Sequence, residues 1–187
     1  MPNNREDSDI KIFRPANNSC NDCDILSFVE GMNYHRQNGN VEKAKELGMR
    51  LADISFESEL RERIEESFLS DEFFHQVCAL VLFSTEAALN YYLPSQQLST
   101  IAINSLHESL SHKKLDFYDS IVNSPAFSFY YLSVRKGGSD IPKDIGEAFA
   151  MLCRKEDEPR FIEEGSKIYS TVLDFVEKKI SDTHFVN

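Results

Sequence analysis

The chain has 187 residues, 41% hydrophobic and 27% charged, with 31 acidic against 20 basic side chains and a formal net charge of −11. That balance is globular and long enough for one domain with a substantial core, and its negative surface disfavours phosphate backbones and anionic lipid, so neither nucleic acid nor a membrane is expected as partner. No signal-peptide core is visible in "MPNNREDSDIKIF", the apolar run over residues 77–83 is far below the ~20 residues that span a bilayer, and Cys20, Cys23, Cys78 and Cys153 are too scattered for a disulfide scaffold, which makes a cytoplasmic setting the expectation.

Residues 1–22 are polar, with Pro2 and Pro15, and read as a tail or irregular cap; residues 23–187 read as a single all-helical domain. Ile25, Leu26, Phe28, Val29 and Met32 begin a helix that fails near Gly39. Asn40 caps the next, whose face carries Val41, Ala44, Leu47, Leu51 and Ile54. Leu60, Ile64 and Phe68 mark a third helix in "FESELRERIEESFL", whose alternating charges describe a solvent face. The stretch 71–92 is apolar nearly all round and belongs in the middle of the molecule.

Pro94 ends that helix, and others follow over 95–110 and 113–122. Ser124 and Pro125 have the form of a cap and a first-turn proline, ahead of Phe127, Tyr130, Tyr131 and Val134 and a stop at Gly137-Gly138. Asp144 and Glu147 have capping-box spacing before Ala148, Phe149 and Leu152. A last helix starts near Pro159 with a stripe of Phe161, Ile162, Gly165, Ile168, Tyr169, Val172, Leu173, Val176 and Ile180, and Lys178 and Lys179 suit its negative C-terminal end. The sum is about nine helices and no strand, joined by short connections that favour antiparallel neighbours.

Gly31-x-x-Tyr34 followed by Gly39-x4-Ala44 resembles the helix-turn-helix unit of tetratricopeptide repeats, with one extra residue before the turn glycine. Gly31, Ala44 and Gly48 are then the small residues where two helices touch. "KGGSDIPKDIGEAFAML" is similar to the turn and second helix of a Sel-like repeat, on Gly138, Ile141, Pro142, Asp144, Ala148 and Phe149. Asp140 stands where that family has a second glycine, tolerable there because Asp enters left-handed geometry more readily than most residues. Lys155-Glu156 stand where paired alanines would pack a following unit, as at a terminal repeat. The resemblance spans about a third of the chain and implies stacked antiparallel helical hairpins that bind a protein or peptide. An irregular helical bundle is the alternative architecture.

Candidate chemistry is incomplete everywhere it begins. Cys20-Asn-Asp-Cys23 is half a zinc site, with no further ligands nearby in sequence. Glu72-x-x-His75 has the spacing of one di-iron helix but no second copy. His107-Glu108-x3-His112 is one residue too long for a zinc-protease helix. Neither a nucleophile elbow nor a phosphate loop occurs. No catalytic residue, metal or cofactor is therefore assigned. Adjacent aromatics on a helix diverge by about 100°, which sends one to the core and the other to a groove or to solvent. The expected interaction surface is Met32, His35 and Arg36 on the exposed side of the first helix, with Tyr91, Tyr92, Tyr130 and Tyr131 as walls of a groove. The function expected is a non-enzymatic interaction or scaffold module; the alternative is a sensory domain with a tyrosine-lined small-molecule pocket.

Overall fold

The computed structural model describes residues 21–54, 64, 68, 71–113, 118–135 and 140–186. Among these residues there are eight helices and no strand: α1 (Asn21–Gln37), α2 (Asn40–Ile54), α3 (Asp71–Tyr92), α4 (Gln96–His112), α5 (Tyr118–Val122), α6 (Ala126–Arg135), α7 (Ile141–Leu152) and α8 (Pro159–Thr183). The protein is all-α, as its periodicity indicates. The expected third helix falls outside the described residues except for Ile64 and Phe68, both buried, and the described residues hold eight of the roughly nine helices expected. The N-terminal tail and the Gly137-Gly138 turn also lie outside them.

The chain divides into two units, Met1–Asn38 and Gly39–Asn187. In the first, α1 exposes Leu26, Phe28, Val29 and Tyr34, so its apolar residues are not gathered on one buried stripe. His35 is buried, Met32 half-buried and Arg36 exposed. The three do not share an exposed face, and His35 leaves the expected surface.

In the second unit α3 is the central helix. Residues 77–85 are buried without a break, and α3 packs against α4, α6 and α8. Having no polar face, it gains most where neighbours cover every side. Its two buried hydroxyls are satisfied within the helix: Ser84 Oγ donates to the Leu80 carbonyl at 2.7 Å and Thr85 Oγ1 to Val81 at 2.8 Å. At one end of the core Phe68, Phe73, Phe149 and Phe161 cluster, with Phe161 edge to face against Phe68 at 4.8 Å and Phe73 at 5.0 Å.

Two close approaches fix the other helices. A Cβ on Gly48 of α2 would land on the Ala102 carbonyl oxygen of α4 and lie 2.9 Å from Ser105 Cβ. A Cβ on Gly146 of α7 would strike the Ile162 carbonyl oxygen of α8. Only glycine lets these backbones touch. The close contact at Gly48 is made with α4, not within the hairpin that the repeat resemblance implies. First and last helices of the unit, α2 and α8, also meet. That closure is a feature of a bundle, while the α7–α8 pair keeps the character of a tight hairpin.

Several helix ends differ from the sequence reading. Asp140, extended at φ −141°, is the N-cap of α7 and accepts from the Lys143 amide at 3.2 Å. Asp144 sits inside the first turn, and Asp140 has no left-handed role. Of the segment expected as a helix over 113–122, Lys113 caps α4 and residues 118–122 form the short α5, while residues 114–117 lie outside the described residues. The Asn40 side chain reaches the residues after α8. Its Nδ2 donates to the Val186 carbonyl at 2.6 Å and its Oδ1 accepts from the Val186 amide at 3.0 Å. Lys43 Nζ donates to the His184 carbonyl at 2.6 Å. The segment after α8 is therefore clamped onto the first turn of α2.

Candidate functional site

The last turns of α3, the whole of α6, the start of α7 and the middle of α8 enclose a cleft of about 900 Å³ within the second unit. Its apolar walls come from Phe83, Ala87, Phe127, Val134, Ile141, Pro142 and Leu173; its polar atoms come from Glu86, Asn90, Ser128 and the phenols of Tyr91, Tyr92, Tyr131 and Tyr169. Each helix presents this face by its own period. Phe83, Glu86, Ala87 and Asn90 recur along one side of α3, Tyr169 and Leu173 along α8, and Phe127, Tyr131 and Val134 along α6.

Three of the four tyrosines expected as groove walls, Tyr91, Tyr92 and Tyr131, do line this cleft. Tyr130 does not. It lies fully buried, 5.2 Å from the Phe83 ring, because α6 turns Ala126, Tyr130 and Ser133 to the core. Its hydroxyl finds no hydrogen-bond partner among the described residues, and burial, with a smaller contribution from Cys153, pushes the phenol well above its ordinary value. Tyr91 and Tyr92 meet edge to face at 4.9 Å and 89°. Phe83, Phe127, Tyr169 and Leu173 line the cleft without having been singled out for it. As members of core stripes, Phe83, Tyr169 and Leu173 carried no separate signal, and only the gap left between α6 and α8 reveals their second role.

The cleft is edged with negative charge. Burial raises the Tyr92 phenol, followed by the carboxylates of Glu177 and Asp174 and by the Tyr91 phenol. The Tyr169 phenol is raised by burial and then by Tyr92. On the α3 side, Glu86 Oε1 lies 2.8 Å from His107 Nε2, and His107 Nδ1 lies 2.7 Å from the Tyr118 hydroxyl. A neutral imidazole satisfies both contacts, with Nε2–H donating to the carboxylate and Nδ1 accepting from the phenol. Burial and then the Glu86 carboxylate raise Tyr118, which keeps it a proton donor. These contacts hold the Glu86 side chain in place at the wall.

The metal motifs gain no further ligands. Among the described residues no group of three or more His, Cys, Asp or Glu side chains is placed to hold a metal ion. Cys20 lies outside the described residues, as do the side chains of Cys23 and Glu72. His75 is exposed, and His112 approaches only Glu108, at 3.9 Å. Cys78 and Cys153 are buried and form no disulfide. No described helix is long and apolar enough to cross a membrane. No protein-family model matches the chain, and neither a curated protein nor a solved structure matches it.

Proposed function

We propose that this protein is a non-enzymatic interaction module of helical-hairpin type whose tyrosine-rimmed cleft receives apolar side chains of a protein or peptide partner. One observation carries the reading: α6 turns apolar or aromatic side chains to the core, to the cleft and to the surface beyond it, with Ser128 and Arg135 as its exposed polar residues. Ala126 and Tyr130 face the core, Phe127, Tyr131 and Val134 face the cleft, and Phe129 and Leu132 remain 41% and 53% exposed beyond its rim. Phe129 and Leu132 thus extend the apolar lining of the cleft past its rim, and apolar surface of that kind marks partner sites. The cytoplasmic setting belongs to this reading, which the unbridged thiols Cys78 and Cys153 suit. The net charge of −11 weighs against nucleic acid.

A photo-crosslinking amino acid at position 131 tests it in native lysate, with the same group at exposed Met49 on α2 as control. A defined protein adduct from position 131 and none from position 49 is the expected result; equal or absent adducts remove the reading. The cleft volume, about 900 Å³, also falls in the range of small-molecule sites, which favours a sensory domain as the second reading. Native mass spectrometry of the purified protein distinguishes the two, since a sensory domain retains a small ligand that is lost in Tyr131→Ala.

A further inference from the structure

We infer that the partner segment taken by this cleft is basic as well as apolar, presenting lysine or arginine beside its hydrophobic anchors; the inference rests on the interaction reading above. Among the described residues no lysine or arginine lines the cleft, and the charged wall residue is Glu86. The His107 and Tyr118 contacts at 2.8 and 2.7 Å hold that carboxylate in place. Along α8, Tyr169, Leu173 and Glu177 recur at intervals of four residues, so the apolar stripe of the cleft runs into a carboxylate at its rim. Asp174 lies beside it, and both carboxylates act on the Tyr92 hydroxyl.

The aromatic rim adds a second attraction for cations. Tyr91 and Tyr92 stand perpendicular at 4.9 Å, and Tyr91 is 79% exposed. Phenol faces turned to solvent beside carboxylates attract ammonium and guanidinium groups. An acidic segment would instead bring like charge against Glu86, Asp174 and Glu177, an arrangement that rejects it. The molecule as a whole, at −11, also steers basic partners inward.

The test uses the full chain and three synthetic peptides of one length. All share an apolar face of leucines with one tryptophan, and their polar faces carry lysine, glutamine or glutamate. The protein has no tryptophan, so peptide fluorescence reports binding alone. At physiological salt the lysine peptide is expected to bind about tenfold or more tighter than the glutamate peptide, with glutamine between. Asp174→Asn with Glu177→Gln should narrow that gap. Glu42→Gln with Glu46→Gln, which removes the same charge from α2, should leave it nearly unchanged.

The outcomes separate the two claims. If all three peptides bind equally and Tyr131→Ala weakens each, the cleft reading stands and the basic partner is overturned. Equal narrowing by both charge-removing pairs overturns it too, by reducing the preference to bulk attraction. If no peptide binds, or binding ignores Tyr131→Ala, the cleft reading and this inference fall together.

Discussion

At the scale of single residues, close contacts and unpaired groups set the largest effects. Gly48→Ala would force the α2 and α4 backbones apart at Ala102, and overpacking of this kind costs about 1–3 kcal/mol. Met49→Ala next to it, 46% exposed, should stay within about ±0.5 kcal/mol. Urea titrations of the pair measure the difference. Tyr130→Phe should act in the opposite sense. Its hydroxyl is buried without a partner among the described residues, so removing it relieves a desolvation cost and stabilises by about 1 kcal/mol. The aromatic pairs were legible in sequence as candidates, but their phase was not. Tyr130 goes inward because Ala126 and Ser133, small and buried, allow α6 to lie close on that side, and nothing local ranks that side above the one bearing Phe127 and Val134.

At the scale of elements, α3 and the clamp on α2 make opposite predictions about order. The unbroken burial of residues 77–85 places those amides among the last to exchange with solvent. Hydrogen-exchange mass spectrometry should find them slower than amides of α5, a helix of five residues. Within the clamp, Asn40 supplies two bonds, at 2.6 and 3.0 Å, beside the one from Lys43. Asn40→Ala should cost about 1–2 kcal/mol, and less in a Val186→Pro background, where the donated amide is already gone. Helix existence was well legible because periodicity and capping are local; α4, α6 and α8 begin within a few residues of their signals. The clamp was not, because asparagine before a helix has the same local form whether it caps that helix or binds a distant strand of backbone.

For the whole molecule, four wholly or partly buried phenols couple stability to alkaline pH. Tyr92, Tyr118, Tyr130 and Tyr169 all titrate above the ordinary value of 10.0, chiefly through burial. Above that pH the unfolded chain has lost phenolic protons that the folded chain retains. Stability is therefore fully present below about pH 10 and falls as pH rises through the folded-state values. Each fully protected phenol contributes at most about 1.4 kcal/mol per pH unit to that slope. Thermal melts from pH 8 to 11 should show the decline, shallower in Tyr130→Phe. Which helices would meet was the least legible property. Gly48 announces a close contact but not its partner, and α4 becomes that partner only because α3 occupies the centre.

The clamp between Asn40 and Val186 joins residues 146 positions apart. Closing so long a loop costs about 4 kcal/mol of chain entropy if nothing else has formed, so the two hydrogen bonds cannot lead the search for the native state. They form once α2 is already held by α4, and α8 by α3. The rate of refolding should accordingly be blind to Asn40, while the rate of unfolding is not. In a stopped-flow chevron, Asn40→Ala should raise the unfolding limb and leave the folding limb where it was, a φ-value near zero. This seam is a latch, closed last and opened first.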